Sequence, residues 1–496
     1  MTFPKAPTYR LLRSIHKWAG LVAALWLFVM GVTGVVLDHH EWRWVSQNSV
    51  PSSWTSDRVE YLVPGTVMRH IAVEDGRIVG GSERGAWYSD DGENWSDIDF
   101  DGLSGQPQVT GIADLGGEGF ARTYLASDEG IWELSADGTK AARIGLPGEH
   151  LTSISEGHGA DELMVVADMS DILTFDLAGG DLTPVNLEEN VTGLSPEVKF
   201  HRFIMDIHFG RALLPGNWGI WLNDLGGVAM AVLSLTGILY WFVTRRGRRK
   251  FMTMKTQRRW MQWLFRAHAP IIGLLGLVPL LYISISAIPL NHIYGFLDWA
   301  DGKTVARESL PSAYQLASFD HQIDGVAAWP GEPGRISIAT SHGLLETTDN
   351  GQSWATDLSV PVEGGAPGAN IFRVGDTMFA GFGGGRNFLR EADADEWSQL
   401  EGTSTAITSA ARDGEQVYVK NSQQIYHAPT FTSPMEETGT AFTNAAPGTT
   451  LFLFLIDVHL GLVIHSEFKW ANDLFAVLAI ILALSGPVMW LRRKWI

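Results

Sequence analysis

Four long apolar segments divide this chain of 496 residues. They are the runs Trp18–Leu37, Leu225–Val243, Ile271–Ile288 and Leu474–Leu491. Each has close to the roughly 20 residues that an α-helix needs to cross a hydrocarbon core of about 30 Å. Because a backbone in lipid must satisfy its own hydrogen bonds, such segments fold as transmembrane helices. The sequence therefore predicts a membrane protein with four spans.

The charged residues are sorted along the chain in a way that predicts its orientation. Residues 41–200 hold 29 acidic and 9 basic side chains, and residues 301–440 hold 19 and 8. The stretch 245–266 holds nine basic side chains and no acidic one, and both termini are basic beside their spans. Because Lys and Arg concentrate in cytoplasmic flanks, we expect both termini in the cytoplasm and both acidic inserts in the periplasm, across a bacterial inner membrane. The first run is too long for a signal peptide and lacks a cleavage site, so we expect a retained anchor.

The chain also carries an internal duplication. The segment Phe203–Gly210 recurs as Phe454–Gly461, an offset of 251 residues. Each copy is followed by an Asn-Asp pair, an apolar span, a small residue joined to Gly, a Trp and a basic end. Since both halves start and end on the same side, the repeat is parallel, and equivalent residues should face each other at one depth.

The two inserts have a finer repeat of about 40 to 45 residues, three units in each, which is typical of propeller blades. The segment Thr347–Trp354 matches the Asp-box of sialidase-like propellers, and Tyr88–Trp95 matches it except at its first position. An Asp-box is a turn-forming device, and the arginines of the inserts lack the spacing of a sialidase site. Three blades cannot close a ring and six can, so we expect one periplasmic six-bladed β-propeller built from both inserts.

The predicted fold class is thus a four-helix transmembrane bundle from a tandem duplication combined with an all-β propeller. The predicted order is transmembrane helix 1 with its cytoplasmic N-terminus (1–40), the first half-propeller (41–200), transmembrane helix 2 with a His-bearing segment (201–246), a basic cytoplasmic linker that lies as an amphipathic connector at the membrane (247–267), transmembrane helix 3 (268–292), the second half-propeller (293–448), and transmembrane helix 4 with a His-bearing segment (449–496).

Six of the 15 histidines form three pairs related by the duplication. The pairs are His16 with His268 on the cytoplasmic side, and His40 with His292 and His208 with His459 on the periplasmic side, with His39 and His465 as alternates there. Histidines at helix ends that bind water and lipid headgroups are the plain structural alternative. Ionisable residues in or near spans usually face the bundle interior and mark a functional path, however, and the pairing favours that interpretation.

The chain has no Cys, which excludes disulfides, zinc ribbons, Cys-ligated iron–sulfur sites and thiol nucleophiles. Two imidazoles that face each other across a bundle axis are what a six-coordinate haem b requires. We expect Asp206 and Asp457 to accept a hydrogen bond from the second nitrogen of the nearby His, with helix capping as the alternative. The 24 residues between His16 and His40 imply about 36 Å of axial rise. Two haems, one near each face, would then form an electron path.

At this point a family resemblance can be stated from the motifs that carry it. The segments His16–Gly20, Thr33-Gly34, His208–Gly210, Pro215-Gly216 and Thr236–Trp241 resemble the PepSY-associated transmembrane family, over the four spans and their flanks. Members of that family include haem-containing inner-membrane reductases of ferric siderophores, so the resemblance implies an oxidoreductase of that class. The propeller-like inserts differ from the PepSY-type domains usual there, and the third span differs at His268-Ala-Pro270.

Two classes of function are open on the sequence. In the first, the haem core takes electrons from a quinol or a cytoplasmic reductase and passes them to a periplasmic acceptor such as a ferric chelate. The short cytoplasmic segments contain no nicotinamide or flavin fingerprint, so the donor is a separate molecule. In the second, the propeller is a non-enzymatic binding, sensing or assembly module that the spans anchor. A transporter is disfavoured because we expect unbroken spans without midplane charges. We expect membrane lipids around the spans and no nucleic acid partner.

Overall fold

The computed structural model describes residues 6–188, 190–246, 253–360, 370–382, 386–403 and 405–495. The chain divides into two compact units, and each of them is assembled from both halves of the sequence. The helical unit comprises Met1–His40, Lys199–Thr304 and Phe454–Ile496, and the β unit comprises Glu41–Val198 and Val305–Leu453.

The helices follow the apolar pattern of the sequence. They are α1 (Ala6–Asp38), α2 (Arg43–Ser46), α3 (Asp57–Glu60), α4 (Val63–Val67), α5 (Phe200–His208), α6 (Asn217–Arg246), α7 (Met254–Arg266), α8 (Gly273–Leu275), α9 (Leu277–Asn291), α10 (Ile293–Ala300), α11 (Leu451–Leu460) and α12 (Lys469–Trp495). Within the described residues, α1, α6 and α12 are each long and apolar enough to cross a membrane, and α7 to α9 form a bent pair that could supply a fourth span. The prediction of membrane-spanning helices is confirmed.

The third apolar run is a broken helix. The segments Met254–Leu275 and Leu277–Asn291 meet at an angle of 65°. A π-helical turn, Ala267–Ile272, precedes the break and contains Pro270. Proline has no N–H to donate to the helical ladder, and π-turns and prolines are the usual causes of kinks. The expectation that every span is unbroken is therefore wrong for this one, and His268 lies within the π-helical turn.

Small residues let the helices of the bundle approach closely. A Cβ atom added to Gly31 on α1 would lie 2.5 Å from the backbone oxygen of Gly227 on α6, which no real structure tolerates. The bundle interior around this contact is lined by small and aliphatic side chains, among them Ala23, Leu27 and Ala229. Close backbone approach of this kind is the main source of packing energy between helices in lipid.

The described residues of the β unit form six sheets of four or five strands, together with two two-stranded ribbons. The first sheet consists of β2 (His70–Glu74), β3 (Arg77–Ser82), β4 (Gly85–Ser89) and β5 (Ser96–Asp97). The second consists of β6 (Asp99–Phe100), β7 (Val109–Asp114), β8 (Thr123–Ser127), β9 (Gly130–Leu134) and β10 (Lys140–Gly145). The third consists of β11 (Leu151–Glu156), β12 (Glu162–Ala167), β13 (Asp171–Asp176) and β14 (Leu182–Pro184).

The other three sheets draw mostly on the second insert. The fourth sheet consists of β15 (Val191–Thr192), β18 (Ile323–Ala328), β19 (Ile336–Thr340), β20 (Gly343–Thr347) and β21 (Trp354–Thr356). The fifth consists of β22 (Asn370–Val374), β23 (Thr377–Phe382), β24 (Arg386–Glu391) and β25 (Ser398–Gln399). The sixth consists of β26 (Ile407–Asp413), β27 (Gln416–Asn421), β28 (Ile425–Ala428) and β29 (Glu436–Glu437). The ribbons pair β1 (Ser49–Val50) with β30 (Thr449–Thr450), and β16 (Glu197–Lys199) with β17 (Thr304–Ala306).

The two inserts are joined within these sheets. Strand β15 of the first insert pairs in parallel with β21 of the second, with Val191 opposite Trp354. At the other junction, the Ser409 hydroxyl of β26 accepts a hydrogen bond from the Ile71 N–H of β2 at 3.1 Å. The first strands of consecutive sheets contact each other around the unit. The result is a β-propeller-like unit built from both inserts.

The segment Thr347–Trp354 forms a turn around Asp349. The Asp349 carboxylate accepts hydrogen bonds from the Ser353 hydroxyl at 2.6 Å and from the Thr347 hydroxyl at 2.7 Å. These hydrogen bonds lower the pKa of Asp349 to about 2, and the bond from the Ser353 hydroxyl contributes most. Gly351 has a φ of +89°, which favours glycine. Trp354 is buried and packs 5.8 Å from the Phe319 ring, so the motif has a structural role.

Candidate functional site

The helical unit brings His16 and His268 together, as the duplication predicted for equivalent residues. His16 lies on α1, and His268 lies in the π-helical turn after α7. Their ring centroids are 6.4 Å apart, and the ring planes are inclined at 85°. We call these two residues the first His pair.

A hydroxyl on a neighbouring helix binds each ring of the first His pair. Nδ1 of His16 lies 2.7 Å from the Ser485 hydroxyl on α12. Nδ1 of His268 lies 2.9 Å from the Thr236 hydroxyl on α6. The two contacts are equivalent under the duplication, because each hydroxyl belongs to the span that closes one half of the chain.

The second His pair, His208 and His459, is held in the same manner. Nδ1 of His208 lies 3.1 Å from the Ser286 hydroxyl on α9, and Nδ1 of His459 lies 2.7 Å from the Thr33 hydroxyl on α1. Four helices of the bundle therefore each supply one hydroxyl to one of four histidines.

The hydroxyl geometry defines the tautomer of these rings. Each hydroxyl also lies close to a backbone carbonyl of the preceding helical turn, for example Thr33 Oγ1 to the oxygen of Val29 at 2.8 Å and Thr236 Oγ1 to that of Val232 at 2.6 Å. A hydroxyl has one hydrogen to donate. Since the helix carbonyl accepts it, the hydroxyl oxygen accepts the hydrogen bond from Nδ1–H. The Nε2 atom then carries the lone pair, which is the form of imidazole that binds a metal.

A small residue follows each hydroxyl, and in three of the four cases it is a glycine that lies beside the ring. A Cβ atom added to Gly237 would lie 3.5 Å from Cε1 of His268, and one added to Gly486 would lie 3.7 Å from Cε1 of His16. The same contact at Gly34 would measure 3.6 Å to His459. Ser286 is followed by Ala287. These distances are ordinary van der Waals contacts, so a methyl group fits there and a larger side chain would crowd the side of the ring between Nδ1 and Nε2.

The remaining predicted ligands have other contacts. Nε2 of His39 lies 2.9 Å from an Asp224 carboxylate oxygen, and Nε2 of His292 lies 2.7 Å from one of Asp473. By these contacts His292 corresponds to His39 rather than to His40, with which the spacing had paired it. The exposed His465 accepts a hydrogen bond at Nδ1 from the backbone of the same turn. His40 is exposed, so the structure does not form a second inward-facing pair from His40 and His292.

The Nδ1 atoms of the second His pair lie beside hydroxyls, and not beside the two aspartates predicted to support them. Asp206 is buried and forms an ion pair with Arg202 at 3.2 Å. Asp457 is also fully buried. The hydroxyls of Ser286 and Thr33 occupy the Nδ1 position for which these aspartates were predicted. The reason is local geometry, because a residue two positions before a helical His points about 160° away from it around the helix axis.

The first His pair brings two imidazoles together, with ring centroids 6.4 Å apart. These two residues would hold a metal or a haem iron in this part of the helical unit. The donor set of neutral imidazoles, with every Nδ1 engaged and without Cys, suits a six-coordinate haem.

The two His pairs are closer together along the axis of α1 than the sequence suggested. The second His pair lies at the level of Thr33 on α1, which is 17 residues beyond His16. At 1.5 Å per residue this is about 26 Å along the helix, instead of the expected 36 Å. The expected distance was too long because it was measured to His40, which lies beyond the second pair.

Sequence reasoning did not identify the four hydroxyls as partners of the histidines. Their signal was present in the recurring small residue joined to Gly, which the sequence analysis used only as a mark of the duplication. Ser286-Ala287 breaks that pattern because it lacks the glycine, and only the structure relates it to the other three.

The fold and the site together define an integral membrane protein that carries a β-propeller-like unit. The chain belongs to the family of the PepSY-associated transmembrane region, whose model matches residues 13–493. No curated protein sequence matches the chain.

Among solved structures, the chain is similar to an ancestral GH74 enzyme (10% identity, TM-score 0.33, covering 73% of this chain and 36% of that one). It is also similar to PorZ, a surface component of the type-IX secretion system of Porphyromonas gingivalis (10% identity, TM-score 0.35, 75% and 32%), and to a structure of a nidogen/laminin complex (8% identity, TM-score 0.32, 74% and 91%). The chain thus spans about a third of the length of the first two.

Proposed function

We propose that this protein is a b-type haem protein of the bacterial inner membrane that moves electrons across the membrane to a periplasmic acceptor. The observation that carries the proposal is the set of four histidines whose Nδ1 atoms are each bound by a helix hydroxyl. Such bonds leave Nε2 of each of the four rings as the nitrogen that can bind a metal. The family resemblance supports the same class of function, with ferric iron or a ferric siderophore as the acceptor.

In this proposal each His pair holds one haem. A haem between two imidazoles supplies reversible one-electron chemistry of iron. The protein's part is to fix the rings: Ser485 and Thr236 orient the first His pair, and Ser286 and Thr33 orient the second. Partners of this kind typically change metal affinity 10- to 100-fold. One electron delivered to a periplasmic ferric chelate converts its Fe(III) to Fe(II).

The charge pattern supports an orientation with the first His pair near the cytoplasm. Basic residues precede both His16 and His268, and the β unit contains the two strongly acidic inserts. Lys and Arg mark the cytoplasmic flanks of spans. The β unit would then lie in the periplasm, with its six sheets as the six blades of one ring.

An absorption spectrum of the purified full chain from haem-replete cells tests this function. We expect the sharp reduced α-band of low-spin haem and about two haems per chain. The double variant His16→Ala/His268→Ala should lose about half of the haem, and His208→Ala/His459→Ala the other half. The matched control is His40→Ala/His465→Ala, which removes two exposed histidines and should keep both haems.

The competing hypothesis is a non-enzymatic binding, sensing or assembly module. It predicts a colourless, properly folded protein, and that result would reject the electron-transfer function. Equal haem content in the control variant and in both double variants would likewise show that the four histidines do not hold the haem.

A further inference from the structure

Two hydrogen bonds join the end of α1 to α6. Nδ2 of Asn223 donates to Oδ2 of Asp38 at 2.6 Å, and Nε2 of His39 lies 2.9 Å from Oδ2 of Asp224. Each of the two chain segments contributes two consecutive residues, so the two bonds bring both carboxylates to one place. We call these four residues the first junction, and all of them belong to the helical unit.

The second half of the chain forms the equivalent junction, and its carboxylate is fully paired. Nδ2 of Asn291 donates to Oδ1 of Asp473 at 2.8 Å, and Nε2 of His292 lies 2.7 Å from Oδ2 of the same residue. The spacing of 253 residues that relates His39 to His292 also relates Asp38 to Asn291. The first junction therefore has a carboxylate where the second junction has the amide that donates to the aspartate.

This exchange leaves oxygen atoms of the first junction without a donor. Oδ1 of Asp224 is buried and contacts no described hydrogen-bond partner, and the same holds for Oδ1 of Asn223, a residue that is only 8% exposed. In the second half, Oδ1 of the equivalent Asn472 accepts a hydrogen bond from Nε1 of Trp26 at 2.8 Å. Pro279, which has no side-chain donor, stands at the position equivalent to Trp26. A buried oxygen without a partner is costly, so two of them at one junction point to a ligand that the oxygens bind.

The first junction offers oxygen ligands and negative charge. It contains two carboxylates and one amide oxygen, and among the described residues the only ion pair of either carboxylate is the contact of Asp224 with His39. Carboxylate, amide and water oxygens hold Ca²⁺ in flexible geometry, whereas Mg²⁺ requires near-ideal octahedral coordination. The side chain of Asp224 is 18% exposed, so solvent reaches the junction and supplies further oxygen ligands. The junction thus matches a divalent cation that prefers oxygen and tolerates irregular coordination.

We propose that Asp38, Asn223 and Asp224 bind a Ca²⁺ ion where α1 meets α6. The two carboxylates and Oδ1 of Asn223 are the protein ligands, and water completes the coordination. His39 is a positioning residue, because its contact at 2.9 Å fixes Oδ2 of Asp224. The second junction binds no ion, since its carboxylate and its amide are already paired. This inference is independent of the proposed haem function.

A Ca²⁺ ion at the first junction cross-links two helices close to the second His pair. Thr33, whose hydroxyl lies 2.7 Å from Nδ1 of His459, is five residues before Asp38 on α1. The ion therefore stabilises the end of α1 that carries this contact.

The test is equilibrium dialysis of the full chain, in phosphatidylcholine nanodiscs, against radioactive Ca²⁺ after bound metal has been removed with a chelator. We expect the wild type to bind one more Ca²⁺ per chain than Asp38→Asn, with a Kd of about 0.1 to 1 mM. Asp38→Asn copies the amide of the second junction, so it should fold normally and bind Ca²⁺ about tenfold more weakly or worse. Asp224→Asn should lose the ion as well. Its matched control is Asp473→Asn, which changes the equivalent carboxylate of the second half and should keep the ion.

The outcomes separate this site from the rest of the chain. If the wild type binds no more Ca²⁺ than Asp38→Asn, the proposal is wrong, and any bound Ca²⁺ belongs to other carboxylates, such as Glu74, Asp75 and Asp413 of the β unit. If Asp473→Asn loses as much Ca²⁺ as Asp224→Asn, the difference between the junctions does not cause binding, and the proposal is also overturned. A colourless protein that binds Ca²⁺ at the first junction would reject the haem function and support this inference.

Discussion

The hydroxyl of Ser286 lies 3.1 Å from Nδ1 of His208 and 2.7 Å from the backbone oxygen of Tyr282 in its own helix. The hydroxyl hydrogen is therefore used within the helix, and the hydroxyl oxygen accepts the Nδ1 hydrogen of the imidazole. This arrangement makes Ser286 a positioning residue for His208. Under the proposed function, its removal should change the properties of the haem that His208 would hold, without preventing folding.

In Ser286→Ala we expect the protein to keep its haem, with the midpoint potential of one haem raised by about 30 to 60 mV. Loss of the acceptor makes the imidazole a poorer donor, which disfavours the ferric state; a tenfold change in relative affinity corresponds to 59 mV for one electron. Spectroelectrochemical titration measures the shift. Ser284→Ala is the control, because Ser284 is equally buried on the same helix and its hydroxyl contacts no described hydrogen-bond partner. A shift of equal size in both variants would contradict the role of Ser286.

The contact between Gly237 and His268 predicts a limit on side-chain size. A Cβ atom at Gly237 would lie 3.5 Å from Cε1 of His268, so Gly237→Ala should retain both haems. Gly237→Leu should lose about half of the haem, because its longer side chain reaches the side of the imidazole that carries Nε2. Haem content per chain gives the result. Gly295→Leu is the control, since a Cβ atom there meets no heavy atom within 4 Å. Full haem content in Gly237→Leu would show that Nε2 of His268 does not bind a haem.

In the β unit, a buried ion pair joins the two inserts. Nη2 of Arg373 donates to Glu156 at 2.7 Å, each side chain is only 9% exposed, and the Gly375 N–H donates to the same carboxylate at 2.9 Å. Burial raises the pKa of Glu156, and the Arg373 charge opposes that shift. A single-partner variant leaves the other charge buried without compensation, which costs about 3 to 5 kcal/mol.

We therefore expect Glu156→Ala to lower the free energy of unfolding of the β unit by about that amount, as measured by Trp fluorescence of the full chain during urea unfolding. The control is Glu83→Ala, which removes an exposed ion pair with Arg69 and should cost less than about 1 kcal/mol. Equal destabilisation in the two variants would show that the buried Glu156–Arg373 pair stabilises the β unit no more than an exposed ion pair does.

The membrane spans and the propeller-like inserts were predictable because each depends on a pattern read along the sequence, an apolar run or a repeat of about 40 residues. The pairing of His16 with His268 was predictable for the same reason, since a parallel duplication relates them. It was not predictable that His39, and not His40, corresponds to His292. A shift of one residue at the end of a helix changes which side chain faces Asp224. The π-helical turn at Pro270 was also missed, since sequence spacing does not report the hydrogen-bond pattern of a helix.

One buried lysine predicts a pH dependence of stability. Lys420, on β27, is fully buried; its ammonium donates to the backbone oxygen of Asn421 and lies 4.8 Å above the Phe442 ring. Burial, with a smaller contribution from the Arg69 charge, lowers the pKa of Lys420 from its ordinary value of 10.5 to about 7.

The sign of the effect follows from linkage. Between pH 7 and 10.5 the unfolded chain binds a proton at Lys420 that the folded chain releases, so stability rises with pH in this window. Its slope should approach about 1.4 kcal/mol per pH unit for this one group. Below pH 7 the lysine is charged in both states and its unfavourable contribution is constant.

Replacement of the lysine by an apolar side chain of similar length should remove this dependence. We expect Lys420→Met to be more stable than the wild type at pH 7 and to show a flatter profile between pH 7 and 10, again by urea unfolding of the full chain. Lys140→Met, which replaces an exposed lysine on β10, should keep the wild-type profile. If Lys420→Met keeps the wild-type slope, the lysine does not release its proton in the folded β unit, and the Phe442 face and the Asn421 carbonyl are sufficient to hold it in the charged form.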